Sequence, residues 1–451
     1  MKMKLVNILL IVVFLVAIWY RVVAFGDLRL SVANNDTASY INSSRAPIFS
    51  WQSFAGRRLF TTNLLYKLAS DGENCKVTAL SLPALGQEEP RQIQPCFDRI
   101  VLLQSFLSIM GWCILAWVTA RRINNPFLKI SSAAVILAFG FTPQIAEWDS
   151  LLTSESLSLS LFPIIFAVLQ EIVFGIANGE EKQSNLINKI LISLWMFVFL
   201  LWVFVRDVHL YAIIGTLVLS TPFLLINRIR KQTILLPITI ILVACYMFGN
   251  YSAKQSTRWQ PSLIHILEWY VFPHPTRVDF FIKAGMPDIQ SGDQYLEWFN
   301  AHGVSTYGKF LVTHPGFVVA TILERSEYFK SNFLQPYFRV NEVENSKITS
   351  IIGEMIHPET YAIYLIDLFF LISLCATAIK HRNKRALALG WLAAWMFFYA
   401  GTSLFVSYLG DLEGVGRHVY PSVEMSRLYM WVFLFPILDM MGNHQPELAY
   451  T

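Results

Sequence analysis

Long apolar stretches alternate with short clusters of charged residues along the whole chain. Most stretches are about 17–25 residues long, the length that a helix needs to cross a bilayer core of about 30 Å. The first runs from Leu5 to near Phe25 and is too long for the apolar core of a signal peptide, so we expect it to remain as a span. With it, about ten spans are predicted. The others lie near residues 100–119, 128–143, 156–174, 188–205, 208–226, 233–250, 361–379, 387–406 and 427–441.

The charged clusters predict the direction of the spans, because cytoplasmic loops of membrane proteins are enriched in lysine and arginine. With a cytoplasmic N-terminus, every cytoplasmic connection carries basic residues, at 121–129, 182–189, 228–231 and 380–385. The even number of spans then places the C-terminus in the cytoplasm as well. The other side receives the connections at 26–98, 143–155, 206–207, 251–360 and 407–426.

The composition agrees with this pattern. Of the 451 residues, 55% are hydrophobic and only 15% are charged, whereas soluble domains carry about a quarter charged residues. We therefore predict an all-α polytopic membrane protein with a single membrane domain over 1–451. Its parts are a first non-cytoplasmic loop at 26–98, a large non-cytoplasmic loop at 251–360 and C-terminal transmembrane helices at 361–441.

Both large loops exceed the usual length of a connection, and both are rich in Trp, Tyr and Phe, which argues against disorder. Segments near 263–271 and 310–318 are predicted to form amphipathic helices at the membrane surface. Cys75 and Cys96 share the first loop. An oxidising compartment permits a disulfide between them, but spacing alone does not supply the required geometry, so the pairing stays open.

The first candidate for chemistry is Asp36, which lies about ten residues beyond the first span in a polar segment that also contains Tyr40. A short acidic side chain there suits a general base that must reach a hydroxyl at the membrane surface. The alternative is that Asp36 or Asn35 caps a short helix. Both roles are compatible, because a cap need not occupy both carboxylate oxygens.

A second group of acidic residues is formed by Glu147, Asp149 and Glu155, just before and at the start of the fourth predicted span. Carboxylates this close to a bilayer are costly unless they are paired, hydrated or used. Glu155 has an equally strong structural explanation, since an acidic residue in the first turn of a helix interacts favourably with the helix dipole.

Two basic groups lie on the same predicted side of the membrane. Arg206 and Asp207 occupy a tight turn between two spans, where the pair is either structural or presents a fixed cation to an anionic headgroup. In the last non-cytoplasmic loop, Arg417 and His418 follow Glu413. An arginine at such a position can bind a phosphate with two hydrogen bonds, or it can simply anchor the helix at the interface.

Several short segments resemble the GT-C superfamily of membrane glycosyltransferases, which use polyprenyl-phosphate-linked sugars. They are the segments 34–40, 57–66, 103–107, 152–157, 205–211 and 411–418. The resemblance implies that Asp36 is the catalytic base and that Arg206, Arg417 and His418 contact the donor phosphate. Glu147, Asp149, Glu155, Asp207, Glu413 and Tyr40 are then supporting residues, acceptor contacts or ligands of a divalent metal. Protein mannosyltransferases have a pair of acidic residues in the first loop, whereas this chain has Asn35 before Asp36. Whether the site binds a divalent metal therefore stays open.

The sequence therefore predicts an inverting glycosyltransferase that moves a sugar from a polyprenyl-phosphate donor to an acceptor hydroxyl on a glycan, lipid or protein. The expected location is the inner membrane of a bacterium, with the active site on the periplasmic side, membrane lipids as partners and no nucleic acid. One alternative is a ligase for lipid-linked glycans. Another is a flippase or transporter of a lipid-linked sugar, although transporters carry polar groups near the bilayer midplane and here Asp367 and Asp439 are the exceptions within otherwise uncharged spans.

Overall fold

The computed structural model describes residues 3–25, 28–34, 36–70, 75–77, 94–178, 185–224, 235–332, 346–411 and 415–443. Within these ranges the protein is helical, and extended pairing is limited to one isolated parallel bridge between Val32 and Leu151. The 28–34 segment and the segment before the fourth span therefore lie side by side. The predictions that fall on 179–184, on 225–234 and on Glu413 lie outside the described residues.

The first half of the described chain forms helices α1 to α10. They are α1 (Met3–Ala24), α2 (Thr37–Ser44), α3 (Trp51–Ala55), α4 (Phe60–Ala69), α5 (Asp98–Arg121), α6 (Pro126–Phe141), α7 (Pro143–Ala146), α8 (Ser154–Asn178), α9 (Asn185–Val203) and α10 (Leu210–Leu224). Short 3₁₀ turns lie at Pro95–Phe97, Glu147–Ser150 and Asp207–His209.

The second half forms helices α11 to α20. They are α11 (Leu235–Gln255), α12 (Gln260–Ile266), α13 (Pro275–Lys283), α14 (Asp293–Trp298), α15 (Val304–Thr313), α16 (Pro315–Glu324), α17 (Ser346–Ile356), α18 (Ala362–His381), α19 (Lys384–Gly410) and α20 (Val415–Asn443). One-turn π-helical segments follow α12 at Leu267–Val271 and α14 at Phe299–Gly303.

Among the described residues, six helices are long and apolar enough to cross a membrane, or seven if the bent pair of 126–141 and 143–150 is one span. This makes the chain an integral membrane protein, while the ten-span prediction is met only in part. A helix occurs at each predicted position, and for α10 the 15 residues Leu210–Leu224 are described. Helix α20 is long, but its first half carries charged residues such as Arg417 and Glu424.

Helix α5 packs against α6 and α8 at the centre of the bundle, while α19 packs against α18 and α20. The close approach of α5 and α6 depends on Gly140, where an added Cβ would lie 2.2 Å from the Trp112 ring. A second apolar core lies in the large loop, where the buried Leu267, Phe281 and Phe310 pack with Tyr408 and Val419. This core therefore fixes the end of α19 and the start of α20 against the large loop.

The first loop is cross-linked by a disulfide between Cys75 and Cys96, whose Cα atoms lie 5.7 Å apart. Their sequence separation of 21 corresponds to a loss of chain entropy in the unfolded state of about 3 kcal/mol. We expect the Cys75→Ser/Cys96→Ser variant to unfold at a lower temperature than the wild type, and the wild type to lose the same stability on reduction. Thermal unfolding followed by tryptophan fluorescence, with and without reductant, measures both. A wild type that is insensitive to reductant would contradict the stabilising role of the bond.

Candidate active site

The candidate site is assembled where the first loop meets the segment that leads into α8. Val32 N–H donates to Ser150 O at 2.9 Å, and Leu152 N–H donates to Val32 O at 3.2 Å. Farther along, the Tyr40 hydroxyl lies 2.8 Å from the Ser154 hydroxyl. These bonds hold Asp36, which lies between Val32 and Tyr40, beside the first turn of α8.

Asp36 precedes α2, but its carboxylate does not cap that helix. The side-chain carbonyl of Asn34 does so instead, accepting from Asp36 N–H at 2.9 Å and from Thr37 N–H at 3.1 Å. Asn34 thereby orients the turn and leaves both Asp36 oxygens available for other partners. The capping role that the sequence suggested for Asp36 or Asn35 is wrong for Asp36.

Two arginines bind the Asp36 carboxylate. Arg58 Nη2 lies 2.7 Å from one carboxylate oxygen, and Arg417 Nη2 lies 2.5 Å from the other. The Arg58 guanidinium is held in place by a bond of 2.7 Å to the Ser39 hydroxyl and by the face of the Tyr40 ring, 4.0 Å from its Cζ. Asp36 is thus ionised and fixed between two cations, with 28% of its side chain exposed.

Arg417 also binds a second carboxylate, because its Nε lies 3.3 Å from Glu155 Oε1. Glu155 belongs to the first turn of α8, as the sequence predicts, and is only 2% exposed. One guanidinium at the start of α20 therefore bridges Asp36 of the first loop and Glu155 of α8. This bridge brings together three segments that are far apart in the sequence.

His418 links Arg417 to the turn between α9 and α10. Arg206 Nη2 donates to His418 Nδ1 at 3.0 Å, and His418 Nε2 lies 3.2 Å from Asp411 Oδ2. This arrangement fits a neutral imidazole that accepts at Nδ1 and donates at Nε2. The other terminal nitrogen of Arg206, Nη1, is buried and has no hydrogen-bond partner within the described residues.

The charges of the site shift the pKa values of two of its members. Burial raises the pKa of Asp36, but Arg417 and Arg58 outweigh burial and lower it to about 2. Burial and the neighbouring Arg206 and Arg417 lower the pKa of His418 well below its ordinary value. Both shifts favour an ionised carboxylate beside a neutral histidine at physiological pH.

Several residues singled out in the sequence have other partners. Asp149 is buried and pairs with Arg21 of α1 at 3.0 Å, so its carboxylate serves packing. Glu147 belongs to the 3₁₀ turn before α8 and contributes to the electrostatic field at Arg21. Asp207 does not pair with its neighbour Arg206.

Asp207 instead accepts two bonds from Arg258, at 2.6 and 2.7 Å. Arg258 also donates to Gly56 O at 3.1 Å, so it ties the first loop to the start of the large loop. Within the described residues, no group of three or more His, Cys, Asp or Glu side chains is close enough to hold a metal ion.

The sequence did not identify Arg58 or Arg258 as site residues. Arg58 lies in the 57–66 segment, which resembles GT-C glycosyltransferases but has no acidic partner nearby in the sequence. Arg258 lies in the aromatic large loop without any motif around it. Their roles follow from partners that are far away in the chain, Asp36 and Asp207. Sequence spacing gives no sign of such pairs.

Comparison with protein-family models gives no match, and no curated protein matches the chain. Among solved structures, it is similar to the Archaeoglobus fulgidus oligosaccharyltransferase in complex with Zn and sulfate, with TM-score 0.41 and 13% identity over 96% of this chain and 50% of that chain. It is also similar to the A. fulgidus oligosaccharyltransferase AglB with an inhibitory peptide and a dolichol-phosphate, with TM-score 0.44 and 12% identity over 98% of this chain and 51% of that chain. For the apo form of the A. fulgidus oligosaccharyltransferase, the TM-score is 0.43 and the identity 12%, over 100% of this chain and 53% of that chain.

The chain thus spans about half the length of these structures. At these TM-scores the similarity assigns no activity to this chain.

Proposed function

We propose that this protein is an inverting glycosyltransferase of the GT-C type that uses a polyprenyl-phosphate-linked sugar. The observation that carries the proposal is Nη1 of Arg206, which is buried and has no hydrogen-bond partner among the residues that the structure describes. Arg206 donates to His418, and the adjacent Arg417 binds Asp36. A buried guanidinium nitrogen without a partner is costly. A phosphate oxygen is the partner that an arginine fork recognises best.

The charges around the site support this assignment. Arg58, Arg206 and Arg417 are balanced by Asp36, Glu155 and Asp411, so the resting site is close to neutral when His418 is neutral. An incoming phosphate would compete with Asp36 and Glu155 for Arg417. Binding of the donor would then weaken the ion pair between Arg417 and Asp36.

This competition explains how an aspartate with so low a pKa can act as a base. In the resting state two arginines hold its proton affinity down. Once Arg417 turns toward the donor phosphate, Arg58 is the one arginine of the two that still binds Asp36. The pKa of Asp36 then rises toward the value of an ordinary aspartate. The base is thus strengthened only when the donor is in place.

In the proposed reaction, Asp36 accepts the proton of the acceptor hydroxyl while the acceptor oxygen attacks the anomeric carbon of the donor sugar. The bond between that carbon and the phosphate oxygen breaks, and the configuration at the carbon inverts. The negative charge that grows on the leaving phosphate is stabilised by Arg206 and Arg417. We place this chemistry on the periplasmic side of a bacterial inner membrane, with both termini in the cytoplasm.

Arg206 provides the test of the proposed donor site. The Arg206→Gln variant should bind a short-chain polyprenyl phosphate about tenfold or more weakly, because a charged hydrogen bond to a buried group is lost. Binding is measured by microscale thermophoresis in detergent, with the non-phosphorylated polyprenol as a control ligand. Arg57→Gln is the matched control variant, since Arg57 is exposed and adjacent to a site residue. Equal affinity of Arg206→Gln and wild type would remove the phosphate from this position.

A further inference from the structure

The large loop contains a cavity of about 380 Å³, formed by the π-helical end of α12, by α13 and by α16. It is separate from the residues of the candidate active site, none of which lines it. The volume is within the range of small-molecule sites. The lining alternates aromatic rings with hydrogen-bonding and charged groups, namely Trp269, Tyr270, His274, Arg277, Phe317 and Glu324.

The polar groups of this cavity are held in fixed positions. Arg277 donates through Nη1 to Tyr270 O at 2.5 Å, and its Cζ lies 4.8 Å from the centre of the Phe317 ring. The Tyr270 ring in turn lies 4.9 Å from the guanidinium carbon of Arg325. Such cation–π contacts orient the guanidinium planes. The cavity is therefore lined with guanidinium groups whose orientation is fixed before a ligand binds.

One aromatic ring in the lining is open to a ligand. The Trp269 ring is 53% exposed and stacks at 15° on His265, with ring centres 5.3 Å apart. One face of the indole is thus supported by the protein while much of its surface is available for contact.

The chemistry of the lining favours a sugar over other ligands. An apolar lipid tail would make no use of Arg277 and His274. A bare phosphate could pair with Arg277 and Arg325 but would set a second anion against the Glu324 carboxylate. Sugar hydroxyls both donate and accept, so they can bind Glu324, Arg277 and His274 together. The flat apolar face of a sugar ring packs well on an exposed indole such as that of Trp269.

We propose that this cavity binds a saccharide unit of one of the two substrates. The assignment of this saccharide to a substrate rests on the proposed glycosyl transfer. Binding of a saccharide in the cavity does not depend on that proposal. A structural link to the active site exists, because the Tyr408 hydroxyl donates to Thr321 O of the cavity wall at 2.6 Å. Tyr408 stands three residues before Asp411, the partner of His418. An occupied cavity would thus be anchored to the same end of α19 that leads to Asp411, the partner of His418.

The test uses saturation-transfer NMR on the full-length protein in a sugar-free detergent. The probes are cellobiose, N,N′-diacetylchitobiose and a uronic-acid disaccharide. At least one should bind to wild type, and its affinity should fall about tenfold in Trp269→Ala, as expected for an aromatic residue at the centre of a binding site. Trp51→Ala is the matched control, because Trp51 is similarly exposed on the first loop, at 55%. Absence of binding by all three sugars, or equal binding to Trp269→Ala, overturns the proposal.

Two further measurements separate this proposal from the proposed function and identify the source of the sugar. Asp36→Asn should bind the same saccharide with unchanged affinity, whether or not it transfers sugar. Glu324→Gln should raise KM at unchanged kcat for the substrate that supplies the saccharide, either the acceptor or the donor glycan. A variant that raises KM for neither substrate while losing saccharide binding shows that the cavity does not serve transfer.

Discussion

The Asp36→Asn variant is expected to lose glycosyl transfer by about 10³-fold while remaining folded. The asparagine amide occupies nearly the same volume but cannot take a proton from an acceptor hydroxyl, and general-base catalysis contributes factors of this order. The measurement is the rate at which polyprenyl phosphate is released from a lipid-linked sugar in the presence of acceptor. Asp279→Asn is the matched control, since Asp279 pairs with Lys283 on an exposed surface.

The same variant separates a catalytic from a structural role. Removing the carboxylate leaves Arg58 and Arg417 without a common anion, so affinity for polyprenyl phosphate should stay the same or increase. Loss of transfer with retained phosphate binding supports Asp36 as the base. Wild-type transfer by Asp36→Asn would refute it.

The pH dependence gives a second check on Asp36. Its pKa is lowered from 3.8 to about 2 in the folded protein, so the ion pairs stabilise the fold fully above about pH 4. That contribution is lost as the pH falls through about 2, because protonation then breaks both pairs. Between pH 5 and 8 neither stability nor activity should vary through titration of this group.

The Arg417→Met variant is expected to lose both activity and stability. It leaves Glu155, only 2% exposed, without the cation that bridges it to Asp36. Removal of one partner from a buried pair costs about 3 kcal/mol or more. Thermal unfolding in detergent measures the loss of stability, and the release of polyprenyl phosphate measures the loss of activity.

Pairing this change with Glu155→Gln distinguishes the two effects. The Glu155→Gln/Arg417→Met double variant no longer buries an uncompensated charge, so its unfolding temperature should recover most of the loss. Its transfer activity should remain low, because the phosphate still lacks Arg417. Recovery of activity along with stability would mean that Arg417 serves the fold alone.

The sequence by itself determined that the chain is a helical membrane protein, and it determined where most of its long helices lie. Apolar runs of span length fixed the positions of the helices, because a helix in a bilayer must satisfy its own backbone and cover itself with apolar side chains. The sequence also marked Asp36, Glu155, Arg206, Arg417 and His418, since charges next to such runs are costly and therefore conspicuous. It did not fix the number of spans, because the first half of α20 carries charged residues and is not a simple apolar run.

The tertiary structure decided how these residues are paired. Asp36 and Arg417 are 381 residues apart, and their meeting depends on the Val32–Leu151 backbone bridge and on packing of α20 against the large loop. Asp149 and Asp207 looked similar to Glu155 in the sequence, yet Arg21 and Arg258 bind them elsewhere. The reason is physical: the cost of a buried charge is local and can be read from sequence, whereas its compensating partner is set by long-range packing.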